Sequence, residues 1–254
     1  MTTKIEICCG DIASVLAAKE GGANRIELCS GLSEGGLTPS LGLILSAVQS
    51  GIDHINVLIR PRPGDFLYSE TEIILMENDI RNAIAAGANG VVIGALTPDG
   101  DVDKEICRRL INVARNTARE VDLPGVHITF HRAFDVSRDP MESLEDIIEL
   151  GCNSLLTSGC APSAMRGIPQ IRKLVDQNDG RIEIMAGSGI NPSNASDIIA
   201  ASGADAIHAT ARKPIPSKMR FRRPLVSMGA PGSDEYAPLS TSPDVVAKLL
   251  HAIS

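Results

Sequence analysis

Apolar and polar residues alternate in short runs along much of this chain, and the period of the alternation changes at regular intervals. IEICC (5–9), RIEL (25–28), HINVLI (54–59), VHITF (126–130) and AIHA (206–209) place apolar side chains on every second residue. That is the signature of a strand with one buried face. Leu41–Gln49, Glu72–Ala86 and Lys104–Glu120 instead carry apolar residues at helical spacing, and Asp11–Glu20 is a short alanine-rich stretch of the same kind. Asp139-Pro140-Met141-Glu142 supplies a helix N-cap, a proline in the first turn and a capping-box acid, and Asn191-Pro192 repeats that start before Ile198-Ile199. A recurring element joins the two periods. Gly, a small or apolar residue, then Asn or Asp precedes a β-branched run in GGAN/RIEL (21–28), SGID/HINVLI (50–59), AGAN/GVVI (86–93), LGCN/SLLT (150–157) and SGAD/AIHA (202–209). Each copy reads as a helix ending on a left-handed glycine and turning into a strand. With IEICC, VHITF and RIEIMA (181–186) the strands number eight.

Alternating strands and helices predict a parallel sheet covered by helices. In an open sheet the central strands would be apolar on both faces. Here Glu6 and Cys8 oppose Ile5 and Ile7, while Glu27 and Cys29 oppose Ile26 and Leu28. Asn56, Leu58 and Arg60 oppose Ile55, Val57 and Ile59. His127, Thr129 and His131 oppose Ile128 and Phe130, and His208 opposes Ile207. One apolar and one polar face predict a closed (β/α)8 barrel with a reactive interior. The expectation is one domain over residues 1–254, with an irregular loop over 212–243 after the eighth strand and a last helix over 243–253.

Composition narrows the partners. Of 254 residues 43% are hydrophobic and only 2% aromatic, with no Trp, which removes the stacking surfaces that single-stranded nucleic acid needs. A net charge of −7 supplies no global field for nucleic acid or anionic lipid. No apolar run reaches membrane-span length and no signal-peptide core follows Met1, so the expected location is the cytoplasm. The six cysteines include no C-x-x-C pair, which speaks against a zinc ribbon or a thioredoxin-like site. Walker, dinucleotide, G-x-S-x-G and H-E-x-x-H motifs are absent, so no nucleotide or flavin cofactor is indicated.

Active sites of such barrels lie at the carboxyl ends of the strands, which selects Cys8, Cys29, Arg60, Gly94, His131, Ser158, Gly187 and His208 with their loops. Three constellations follow. Glu6-Ile7-Cys8 and Glu27-Leu28-Cys29 put an acid and a thiol on one face of two neighbouring strands, about 4.8 Å apart. Two such thiolates suit a soft cation, Cu(I) before zinc, and two packed thiols would give the same pattern. Cys9 points the other way, into packing. Second, Glu6, Glu27, Arg60 and His131 form a candidate acid–base group, for which a polar layer fixing strand register is the alternative. Third, Ser158 and Gly159 after the sixth strand, Gly187 and Gly189 after the seventh, and Arg62 and Arg212 are candidate anion-binding groups. The basic stretch Arg212, Lys213, Lys218, Arg220, Arg222 and Arg223 adds to them or forms a solvated face. His54 and His127 lie near strand starts, His251 lies on the last helix, and all three are expected to be structural.

RIELCSGLSEGGLTPS (25–40), LIRPRPGDFLYS (58–69), GALTPDGDVDKE (94–105), TFHRAFD (129–135), LLTSGC (155–160), GRIEIMAGSGI (180–190) and MRF…VSMGA…EY (219–236) together resemble the copper homeostasis protein CutC family. The resemblance implies a cytoplasmic TIM barrel that forms homo-oligomers and handles copper, with cysteines at the positions of Cys8 and Cys29 as proposed ligands. The chain departs from the family in two places. Ala186-Gly187-Ser188-Gly189 stands where relatives often carry Pro-Gly-Gly-Gly, and Cys9 is not a general feature. Two expectations result: a protein that binds copper through Cys8 and Cys29, or a barrel enzyme acting on a small anionic substrate that carries phosphate or carboxylate.

Overall fold

The computed structural model describes residues 4–223, 226, 234 and 236–254. Eight parallel strands close into a barrel: β1 (Lys4–Cys9), β2 (Arg25–Leu28), β3 (His54–Leu58), β4 (Gly90–Ile93), β5 (His127–Phe130), β6 (Ser154–Thr157), β7 (Glu183–Gly187) and β8 (Ala206–Ala209). The ring closes through Glu6 opposite His208 and Ile7 opposite Ala209. Around it lie α1 (Ile12–Glu20), α2 (Leu41–Gln49), α3 (Glu70–Ala85), α4 (Lys104–Glu120), α5 (Pro140–Glu149), α6 (Ala164–Asn178), α7 (Ala195–Ser202) and, after the last barrel strand, α8 (Pro243–Ala252). The expected (β/α)8 architecture is the observed one.

The repeated helix-to-strand element has a definite mechanics. Gly22, Gly51, Gly87, Gly151 and Gly203 all have positive φ, and the polar residue two positions later can clip the start of the preceding strand. Asn89 both donates its amide to Ile55 O and accepts the Ile55 amide on Oδ1 at 2.8 Å; Asn153 does the same to Ile128 and Asp205 to Ile184. These clips satisfy backbone groups that a strand end would leave open. The outward faces bury Ile5, Ile7, Ile26, Leu28, Ile55, Ile128 and Ile207 against the helices in one continuous core. Each such side chain contributes roughly 1.5–3 kcal/mol on burial.

Two expectations shift in detail, and one helix is added to those the sequence names. Helix α7 begins at Ala195, so Asn191-Pro192 forms a turn ahead of it rather than its cap. Helix α6 runs over a stretch whose Gly167 and Pro169 break the helical pattern. The segment after β8 is not wholly irregular, since β9 (Arg212–Pro214) and β10 (Leu239–Thr241) pair antiparallel at its two ends. Lys218, Arg220, Arg222 and Arg223 are solvent-exposed within it.

Candidate metal and substrate site at the barrel mouth

Strand parity aims Cys8 and Cys29 into the barrel, where they pack with Leu58 and Val92 as a cluster separate from the main core. Their sulfurs lie 3.6 Å apart, and both residues are buried free thiols. Cys9 joins the outer core, as its parity requires. The hydrogen bond to Cys29, then burial, then the Glu27 carboxylate push the Cys8 thiol well above its ordinary range. Cys8 Sγ, a Glu27 carboxylate oxygen and a His208 ring nitrogen all lie within 4.8 Å of one another. Cys8 thus belongs to two groupings, a thiol pair with Cys29 and a thiol–carboxylate–imidazole triad with Glu27 and His208.

Glu6 and Glu27 sit on adjacent strands in opposite states. Glu6 is fully buried, yet it accepts hydrogen bonds from His208 Nδ1 at 3.0 Å and Asn56 Nδ2 at 2.8 Å and pairs with Arg25 at 3.3 Å. Burial opposes its charge, but His208, Arg25 and Asn56 outweigh that and hold the carboxyl at about 2. Glu27 has no such partners. Its Oε2 makes no hydrogen bond, His208 Nδ1 stays 3.7 Å away, and burial lifts the carboxyl to about 7. Burial also works against a charge on His208, but Glu27 and Glu6 together raise its pKa. By donating Nδ1–H to Glu6, His208 keeps Nε2 as its free ring nitrogen. Carboxylates orient metal-binding histidines in the same way.

Cys8, Glu27 and His208 line a cavity of about 450 Å³ that also touches Arg60, Phe66, His131, Asp135, Ser188, Gly189, Ile190, Thr210 and Arg212. Arg60 donates to the carbonyls of Glu34, Gly36 and Gly64, and its guanidinium lies 5.2 Å from the centre of the Phe66 ring. His131 accepts the Ala133 amide on Nδ1, so its proton resides on Nε2, which has no partner. Gly94 makes room for this imidazole: a Cβ there would lie 2.5 Å from His131 Cε1. Burial, reinforced by Arg60, lowers the His131 pKa to about 3.

The sequence-derived site is thereby redrawn. His208, Asn56 and Arg25 favour an ionised Glu6, and burial with Arg60 favours a neutral His131. Arg62 does not enter the cavity; it pairs with Asp65 and Glu72 and holds the loop before α3. Ser158 and Gly159 do not offer a free anion cradle, because the protein's own Asp135 fills it. That carboxylate accepts from the Ser158 amide and hydroxyl, the Cys160 amide and the Thr157 hydroxyl, and pairs with Arg132 at 2.7 Å. The Gly159 amide turns to Thr157 Oγ1 instead. Gly187 packs against Leu156 and His208, whereas Gly189 and Arg212 reach the cavity. His54 and His127 lie edge-on at the opposite end, bonded to Asn56 and Ser154. Reading by residue type missed Phe66 as part of the mouth. His208 was legible only through its parity on the eighth strand.

Comparison with known proteins agrees over most of the chain. The CutC family model matches residues 3–213. The copper homeostasis protein cutC homolog of Homo sapiens is 46% identical over 250 residues, covering 98% of this chain and 88% of that protein. A CutC family protein of Chromobacterium violaceum is 45% identical, covering 98% and 97%. Among solved structures, a CutC protein of Streptococcus agalactiae superposes with a TM-score of 0.75 at 31% identity, covering 82% of this chain and 98% of the other.

Proposed function

The chain belongs to the CutC family, and from that premise we propose that it serves copper homeostasis by holding Cu(I) at the barrel mouth between Cys8 and Cys29. The observation that carries this reading is the pair of inward thiols 3.6 Å apart beside Glu27 and His208. Two metal–sulfur bonds of about 2.3 Å spanning that separation meet at roughly 100°, an angle suited to three or four ligands and not to a linear pair. Glu27 and His208 supply the additional donors. Thiolates must form on binding, and Cys8 resists deprotonation, so affinity rises with pH. A dithiol of this kind persists in a reducing compartment, which suits the cytoplasm. Exposed Ile12 and Leu16 on α1 and Leu41 and Leu45 on α2 support assembly of several copies. The test is Cu(I) stoichiometry by competition with a chromogenic chelator. The native chain binds one ion and the Cys8→Ser/Cys29→Ser variant binds none; equal stoichiometry in both rejects the reading.

One observation favours a second reading, acid–base catalysis on a small anionic substrate. Glu27 combines an unpaired oxygen, a place in the cavity wall and a pKa near 7, the combination a general acid or base requires. Arg60 serves there as an anion clamp. Glu27→Gln leaves the fold intact and removes turnover, whereas a turnover that survives the substitution eliminates Glu27 from the chemistry.

A further inference from the structure

Three side chains that line the cavity each keep one N–H without a protein acceptor: Arg60 Nε, His131 Nε2 and Arg212 Nε. Arg60 is 7% exposed and His131 5%, so water offers these groups little compensation. Buried donors left unpaired cost about 1–3 kcal/mol each, a cost that a bound acceptor removes. Neither Arg60 nor Arg212 has a carboxylate within 4 Å among the described residues. Arg132, by contrast, is committed to Asp135. Arg212 after β8 and Arg60 across the mouth after β3 therefore bring two guanidinium groups to the cavity that no carboxylate pairs among the described residues.

The cavity lining also carries backbone donors. The chain leaves β7 through Ser188 and Gly189, whose φ values of +80° and +74° take the following backbone out of the ladder. The amides of Ser188, Gly189 and Ile190 donate to no acceptor among the described residues, and all three residues line the cavity. The Ser188 carbonyl is held by the Ala164 amide, which fixes this turn against the start of α6. Three successive free amides on the same cavity lining as a guanidinium match the three terminal oxygens of a phosphate monoester. Loops after the seventh and eighth strands are where barrels of this architecture commonly hold phosphate. The comparable cradle after β6 is already filled by Asp135, whereas this one is open among the described residues.

We propose that the mouth between β7 and β8 binds the phosphate group of a small phosphate-bearing molecule through the Ser188, Gly189 and Ile190 amides and Arg212, the rest of the molecule lying toward Arg60 and His131. A cavity of about 450 Å³ holds a compact metabolite of this kind. The site is independent of the copper reading, and it gives the acid–base reading its substrate class by placing the molecule's body across from Glu27.

The experiment titrates the full chain with inorganic phosphate, glycerol 3-phosphate and acetate, by calorimetry and by the backbone amide resonances of 188–190. Phosphate and glycerol 3-phosphate are expected to compete for one saturable site and to shift those three resonances. Arg212→Gln weakens both ligands tenfold or more, and Arg212→Lys recovers part of the loss. Cys8→Ser/Cys29→Ser leaves inorganic phosphate affinity within twofold, and the readout is binding rather than turnover, so failure of either functional reading remains distinguishable from failure of this one. The proposal is overturned by unmoved 188–190 resonances at millimolar phosphate, by acetate binding as tightly as phosphate, or by unchanged affinity in a folded Arg212→Gln. The resonance measurement decides the matter even where a variant misfolds.

Discussion

At the amino-terminal end of the barrel, Arg25 pairs with Glu183 at 2.8 Å and with Glu6 at 3.3 Å, and Lys4 pairs with Glu183 at 2.9 Å. His54 and His127 each reach a neutral partner there. At the carboxyl-terminal mouth, Glu27, Arg60, His131 and Arg212 each keep a polar atom without a partner. The same residue types, on strands of the same parity, thus differ in pairing about 7–13 Å apart along a strand, two to four residues at about 3.3 Å each, with Arg25 ion-paired twice although its Nε makes no hydrogen bond. A layer whose charges are mutually satisfied contributes register and stability. A layer with donors and an acid left open holds reactivity or binding in reserve. His54 and His131 illustrate the distinction: burial lowers both pKa values, but only His131 is left with an unpaired N–H.

The contrast is sharpest between Glu6 and Glu27, and substitution there should break it first. Glu6→Gln deprives Arg25 and His208 of their buried anion, and the expected loss is about 3–5 kcal/mol in urea unfolding at pH 7. A loss below about 1 kcal/mol would show that the paired layer does not carry stability.

The next effect is one of pH. Glu6, held near 2 against 4.5 when unfolded, contributes stability that is complete above pH 4.5 and drains away as pH falls toward 2. Glu27 runs the other way. Its folded pKa of about 7 means that its contribution is complete below pH 4.5 and lost as pH rises to 7, a change of about 3 kcal/mol. His208, also raised, contributes below pH 6.5 and loses that contribution only at higher pH, which separates it from the Glu27 window. Glu27→Gln should therefore abolish the decline between pH 4.5 and 7 and leave the variant up to about 3 kcal/mol more stable than the native chain at pH 8. Parallel stability profiles for the two proteins across that interval would refute the assignment.

The smallest effect concerns the turn after β7. Ser188 holds a left-handed backbone that costs a residue with a side chain roughly 1 kcal/mol. Ser188→Gly is expected to stabilise the chain by up to about 1 kcal/mol, read as a melting temperature raised by about 2–4 °C. A lowered melting temperature would mean that the Ser188 hydroxyl, bonded to Pro162 O at 3.2 Å, matters more than the strain.

The barrel was legible before any coordinates because period-two alternation is a local property. Ile5, Ile7 and Cys9 could only face helices if Glu6 and Cys8 faced inward, and five repeats of glycine followed by Asn or Asp marked the junctions. Cys8 and Cys29 were legible as neighbours for the same reason, since parity and adjacent strands fix both direction and spacing. Helix α6 was less so, because Gly167 and Pro169 broke the pattern within it, and tertiary packing overrode that local preference.

Residue type and spacing determined which side chains point at the central axis, and so which chemistry the mouth contains. The folded chain alone decided which of those groups are spent. Glu6 is fixed in its charge by Arg25, Asn56 and His208, which come from three other strands, and the cradle at Ser158 is closed by Asp135 from the loop after a different strand. Charge state and pairing depend on groups distant in sequence and on exclusion of water, and neither is encoded in the period of a single strand.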